Sequence, residues 1–215
     1  MGRLAGSPTV QTLAIMAVVF VVNEATKLLG LLGLSQFLFV LGPTFPLRPW
    51  SLMTSVYAHA GPAHLVSNAI MLVLVGLIVE RSTTWFRYHV FFVTTGVLAG
   101  LAQVLLLPGS RVLGASGAIF ALLGYVVTGN PVSGSVLDVL RLSRRVQIAL
   151  FAVLAVVVTV LTGAPGVALV AHFTGFLLGL LAGRMGLLVL KLVAHRAQLR
   201  EPAKDLLVDR LNGAF

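Results

Sequence analysis

Six apolar stretches, bounded by prolines, glycines or basic residues, constrain this chain more than any other feature. They run from about Val10 to Leu29, Ala63 to Val79, Trp85 to Leu107, Ser116 to Thr128, Val146 to Thr162 and Val167 to Leu190. A helix needs roughly 20 apolar residues to cross the hydrocarbon core of a bilayer. The fourth stretch is short, so it starts below the membrane surface or borrows from its flanks. Composition agrees with a lipid-facing surface. The chain is 58% hydrophobic and 10% charged, with a mean hydropathy of +1.03, whereas soluble domains carry about 25% charged residues. The predicted fold is an all-α, polytopic membrane bundle of six spans.

The connectors refine that expectation. Between the first two stretches lies a long segment, 30–62, with Pro43, Pro46, Pro49 and Pro62 but also Phe37, Leu38, Phe39, Trp50 and Tyr57. A loop this apolar belongs in the interface or dips into the bilayer. Lys and Arg set the orientation. With a cytoplasmic N-terminus, Arg3, Arg81, Arg87, Arg141, Arg144, Arg145, Arg184, Lys191, Arg196, Arg200, Lys204 and Arg210 fall inside. Only Lys27, Arg48 and Arg111 fall outside. This positive-inside bias predicts a multi-pass protein of the plasma or inner membrane with both termini cytoplasmic. The first stretch is long for a signal-peptide core and no A-x-A-like site follows it, so it reads as a retained span. Residues 1–190 are expected to form the membrane domain, and 191–215 a solvated cytoplasmic tail.

The net charge of +9 does not point to nucleic acid, because the basic residues lie between apolar spans rather than along one amphipathic face. The chain has no cysteine, which excludes disulfides, thiolate metal sites and a Cys nucleophile. There is no H-E-x-x-H pattern, and His59, His64 and His172 have no nearby carboxylate in the sequence. No metal site and no cofactor are expected.

Polar side chains within spans are costly and often functional. In the predicted topology, spans two, four and six all enter from the outer side, so their first turns share one depth. His64 and Asn68 open span two, four residues apart and therefore on one face. Ser116 opens span four, and His172 lies in the first two turns of span six. Gly175, Gly179 and Gly183 form a small-xxx-small run on span six, while span four offers Gly117, Ala121 and Gly124. Close approach of these two spans would bring His172 within reach of Ser116. A serine hydroxyl becomes a nucleophile when a neutral histidine takes its proton. The free N–H groups at the start of span four, with His64 and Asn68, could then hold a developing oxyanion. Gly114 and Gly117 permit a tight turn and a close substrate backbone. No carboxylate lies at this depth, so the arrangement reads as a Ser–His dyad without the usual acid.

These residues resemble the rhomboid family of intramembrane serine proteases. The segment from His59 through His64 to Asn68 is similar to the family's second-helix pattern. Gly114-Ala115-Ser116-Gly117 is similar to its G-x-S-G nucleophile motif. Ala171-His172-Phe173-Thr174-Gly175, continuing to Gly179, is similar to its last-helix motif. The resemblance spans roughly residues 45 to 183. It implies Ser116 as nucleophile and His172 as general base, with His64, Asn68 and the Ser116 N–H as the oxyanion hole. It also implies that Phe120 packs on the catalytic histidine and that the first connector is partly submerged. Many members carry Trp-Arg in that connector; here Ser51 follows Trp50, and Arg48 lies two residues before it. The chain looks like the minimal six-span prokaryotic form.

On this reading the chain hydrolyses a peptide bond near the outer end of a single-span substrate's transmembrane helix, with the bilayer as its other partner. The sequence leaves the oligomeric state open. One alternative is a catalytically silent relative that binds membrane clients, although such relatives typically lack the serine or the histidine. Another is a transporter or proton channel relaying through His64 and His172, for which there is neither an inverted repeat nor a mid-membrane acid.

Overall fold

The first helix starts earlier than hydropathy alone suggests, and its cap shows why. In the computed structural model, Ser7 caps α1 (Pro8–Leu28), its hydroxyl accepting from the Val10 N–H at 3.2 Å. Proline stands at the first helical position, where no N–H is needed. The Glu80 carboxylate then accepts from the Ser7 hydroxyl at 2.7 Å and from the Thr9 N–H at 3.1 Å. This ties the start of α1 to the far end of the second span.

The structure describes residues 6–129 and 168–188, with a few isolated positions between 143 and 153. The expected fifth span and the C-terminal tail lie outside the described residues. The described helices continue with α2 (Leu32–Phe39), α3 (Ser51–Tyr57), α4 (Pro62–Val79), α5 (Trp85–Leu106), α6 (Ser116–Gly129) and α7 (Leu169–Arg184). Among the described residues, three helical segments are long and apolar enough to cross a membrane: Pro8–Leu28, Pro62–Ser82 and Trp85–Leu106. α6 and α7 are shorter apolar helices. The protein is thus an all-helical, polytopic bundle, and its outer surface is apolar. Val18, Val21, Leu74, Phe86 and Leu105 are all more than half exposed, as suits side chains that meet lipid.

α6 is short because the chain folds back into the bundle before the helix begins. Leu41 and Val112 exchange two backbone hydrogen bonds of 2.9 and 2.8 Å. The Gly114 N–H then reaches the Ser55 carbonyl at 2.8 Å, and Ala115 is fully buried. From that inward start α6 packs against α4, α5 and α7. Its buried face carries Gly117, Ala118, Ala121 and Gly124 among larger residues. Such small side chains let helices approach where no water is available to drive their association. The last helix ends at Arg184 rather than at about Leu190. Gly186 turns the chain with φ +63°, and the Leu187 N–H bonds back to the Ala182 carbonyl at 3.1 Å, a glycine-based helix stop.

The long first connector forms α2, a 3₁₀ turn at Phe45–Leu47 and α3. It turns Leu32, Phe37, Leu47 and Met53 outward, which suits a partly submerged loop. Trp50 donates from Nε1 to the Phe37 carbonyl at 3.1 Å and packs on the Phe37 ring at 5.0 Å. Arg48 Nη1 donates to the Gln36 carbonyl at 3.3 Å, and its guanidinium also bonds the Thr44 hydroxyl. Arg48 thus anchors the connector, while Ser51 donates its hydroxyl to the Arg48 carbonyl at 2.7 Å.

Candidate active site

α6 and α7 meet backbone to backbone. A Cβ on Gly175 would stand 2.1 Å from the Gly117 carbonyl oxygen, and one on Gly179 would stand 2.0 Å from that of Ala121. On the other helix, a Cβ on Gly124 would stand 2.3 Å from the Phe176 oxygen. Real Cβ atoms do not occupy such positions, so these glycines are required by the close approach. Thr128 adds a bond across the seam, from its hydroxyl to the Leu180 carbonyl at 2.8 Å.

This seam sets Ser116 and His172 on facing first turns. Gly117 follows Ser116 and touches Gly175, one turn after His172. The His172 ring is buried and stacks on Phe120, with centroids 4.2 Å apart and planes at 19°. Phe120 lies one turn past Ser116, so the imidazole is held flat over the helix that carries the serine. His172 Nδ1 is buried without a hydrogen-bond partner among the described residues. Among the described residues no carboxylate orients the ring from behind; the aromatic face does so instead. No hydrogen bond joins Ser116 to His172 in this structure, and such contacts often tighten only when substrate binds.

Gly114 joins the serine to the second span. Its φ of +134° favours glycine. A Cβ there would lie 2.8 Å from His64 Cε1 and 3.0 Å from His64 Nε2, and 3.9 Å from Ser116 Oγ. The His64 ring and the serine hydroxyl therefore flank one methyl-sized space. The Ala60 N–H donates to His64 Nδ1 at 3.4 Å. A neutral imidazole that accepts at Nδ1 carries its proton on Nε2, so the His64 N–H faces the serine side. Asn68 is buried and donates from Nδ2 to the His64 carbonyl at 2.9 Å. That bond uses one of its two amide protons.

His59 supports this arm from behind. It is fully buried and meets the His64 ring edge-on at 5.0 Å, with Nδ1 3.1 Å from the Tyr57 carbonyl. Burial, with His64 alongside, pushes its imidazole down to about 4, so it stays neutral.

Four supporting residues, Asn23, Ser35, Gln103 and Ser55, escape the sequence pattern. Asn23 of α1, 1% exposed, donates to the His59 carbonyl at 3.1 Å and accepts from the Ser35 hydroxyl at 2.6 Å. A buried amide inside an apolar span was a legible signal. Gln103 of α5 accepts the Ala171 N–H at 3.1 Å, pairing an otherwise orphan amide in the first turn of α7, next to His172. Ser55 holds Gly114 through its carbonyl. It also lines, with Ser116, Gly96 and Ala171, a cavity of about 20 Å³, room for one water molecule.

Comparison with known proteins decides the family. The model of the rhomboid domain matches residues 46–189. The chain belongs to the rhomboid family. Within it, the chain is similar to RHOMBOID-like protein 4 of Arabidopsis thaliana, 30% identical over 135 residues, covering 62% of this chain and 33% of that protein. It is similar to RHOMBOID-like protein 7 of the same plant, 28% identical over 134 residues, covering 62% and 42%. Rhomboid protease GluP of Bacillus subtilis is 37% identical over 84 residues, 38% of this chain and 16% of GluP. The chain thus spans less than half the length of these rhomboid relatives. Asn23 and Ser35 fall before the matched rhomboid domain, and Gln103 and Ser55 fall within it.

Proposed function

We propose that this rhomboid-family protein is an intramembrane serine endopeptidase working through Ser116 and His172. Membership of a family that includes a protein named as a protease supports the general activity. The observation that carries the specific reading is the convergence of the His64 Nε2 edge and the Ser116 hydroxyl around Gly114, with His172 of α7 stacked on Phe120, one turn past Ser116 on α6.

In this mechanism His172 takes the Ser116 proton as Oγ attacks the scissile carbonyl carbon. The oxyanion that forms accepts from the His64 Nε2–H, the second Asn68 amide proton and the Ser116 backbone N–H. His172 then returns the proton to the departing amine, which leaves an acyl-enzyme on Ser116. Water deprotonated by His172 attacks that ester and frees the carboxylic acid. The substrates are single-span membrane proteins cut near one end of the span. Both termini of the enzyme lie in the cytoplasm, and the site faces the outer side of the cell membrane.

The test uses the full chain in detergent with a fluorogenic single-span substrate, beside Ser116→Ala and His172→Ala. Cleavage by the wild type alone is expected; cleavage by Ser116→Ala at the wild-type rate would overturn the assignment. A second reading, a silent binder of membrane clients, is favoured by the lack of a Ser116–His172 hydrogen bond. Labelling of Ser116 by a serine-reactive phosphonate separates the two, since only an activated serine reacts.

A further inference from the structure

Two of the three cations expected on the serine side of the bundle, Arg48 and Arg111, line one cavity to which neither Ser116 nor His172 contributes. The third, Lys27, is paired with Glu24 at 2.5 Å. Arg48 and Arg111 have no carboxylate partner among the described residues. Instead they share Gln36. Its backbone carbonyl takes Arg48 Nη1 at 3.3 Å, and its side-chain Oε1 takes Arg111 Nη1 at 3.1 Å. Both approach Gly42, where a Cβ would lie 3.4 Å from Arg111 Cγ and 4.0 Å from Arg48 Nη2. Phe37 holds the Arg48 guanidinium over its ring at 5.9 Å.

With the Thr44 bond of Arg48, these contacts still leave most of the N–H donors of the two guanidiniums uncommitted. The cavity they line, with Gly33, Phe37 and Leu47, measures about 480 Å³. That is far more room than a bare inorganic ion needs. Its apolar lining residues face outward, with Leu47 81% and Phe37 about two-fifths exposed, and Trp50, about two-fifths exposed, packs on Phe37. Apolar side chains and an indole beside fixed cations are the profile of a surface seated among lipid headgroups.

We propose that Arg48 and Arg111 bind the phosphodiester of an anionic phospholipid headgroup in the leaflet at the serine end of the bundle. The two guanidiniums grip the phosphate oxygens with charge-assisted hydrogen bonds, and the cavity takes the rest of the headgroup. Net negative charge matters, because a choline group would bring a third cation to the pair. The site also bears on the connector that precedes α6. Arg111 adjoins Val112, which is bonded to Leu41, and Gly114 follows two residues later.

Binding is read directly, without reference to proteolysis. The full chain in detergent is titrated with phosphatidylglycerol and bound lipid is counted by native mass spectrometry, with phosphatidylcholine and inorganic phosphate as separate arms. Arg111→Gln is the main variant, since Arg48 also anchors the connector. Arg111→Gln should weaken phosphatidylglycerol binding about tenfold, with lipid-free thermal unfolding unchanged. Arg111→Lys, which keeps charge but not the planar fork, should fall between. Phosphatidylcholine should bind weakly and equally to both proteins, and inorganic phosphate should not displace phosphatidylglycerol. Wild-type phosphatidylglycerol affinity in Arg111→Gln would overturn the proposal. Displacement by inorganic phosphate at matching concentration would assign the site to a free anion and overturn the lipid.

Discussion

On the α6–α7 side of the candidate site the chain is joined backbone to backbone; on the α1–α4 side it is joined through side chains. Gly175, Gly179 and Gly124 leave no space between α6 and α7, so Ser116 and His172 ride on one rigid unit. His64 and Asn68 ride on α4, whose outer face carries exposed Val66, Ile70 and Leu74. Their position depends on an edge-on ring contact and a few hydrogen bonds running through His59 and Asn23. Ser116 and His172 are fixed by packing, which tolerates almost no change. His64 and Asn68, the proposed oxyanion side, are fixed by bonds worth about 1 kcal/mol each, which can shift without unfolding the bundle.

The sharpest way to break this comparison is to force the seam apart. Gly175→Val places branched carbon atoms where the Gly117 carbonyl already stands, and neither helix backbone can give way without moving the other. Overpacking commonly costs about 1–3 kcal/mol where side chains can adjust, and here there is no side chain to move. Thermal unfolding in detergent should show loss of the folded protein. Gly33→Ala is the contrast, because nothing lies within 4 Å of the added methyl; it should hold or slightly raise stability. A Gly175→Val protein with the wild-type midpoint would mean the seam is not the rigid half.

Gly114 lies where the two halves touch, and its replacement should separate activity from stability. Gly114→Ala must strain a backbone at φ +134° and push against the His64 ring. The bundle has other contacts to hold it, so folding should survive. Displacing an oxyanion donor typically lowers kcat about 10²–10³-fold. The expected result is that loss in kcat, with a thermal midpoint within a few degrees of wild type. Near wild-type turnover would show that the His64 edge does not act on the reacting carbonyl.

The sequence made the rigid half legible and the adjustable half only partly so. Four-residue glycine spacing in Gly175, Gly179 and Gly183 is a local pattern with one physical meaning in lipid, close helix approach. Ser116, His172, His64 and Asn68 stood out because polar groups are costly there. Asn23 carried the same signal but sat in a span with no motif beside it, and Ser35 lay in a connector where serine is unremarkable. Gln103 and Ser55 act through a side-chain oxygen and a backbone carbonyl on partners far along the chain, which no spacing rule encodes. Hydropathy alone does not mark where α6 starts; the Leu41–Val112 bridge and the Gly114–Ser55 bond draw the preceding chain inward. The last helix ends before the apolar run does, because Gly186 inside that run acts as a stop.

The smallest expected effect tests the adjustable half at its far end. Ser35 touches no reacting atom: its hydroxyl donates to Asn23 Oδ1, and Asn23 Nδ2 donates to the His59 carbonyl. Ser35→Ala removes one hydrogen bond, worth about 1 kcal/mol, and frees the Asn23 amide to turn. If that amide positions the His59–His64 pair, the loss should appear as a roughly fivefold lower kcat with KM unchanged, because the oxyanion exists only in the transition state. Ser35→Thr keeps the hydroxyl and should restore the rate. A merely structural bond would behave differently, lowering the thermal midpoint in Ser35→Ala while leaving kcat alone. The pair of variants therefore decides whether the side-chain chain from α2 to His64 aligns the site or only holds the connector in place.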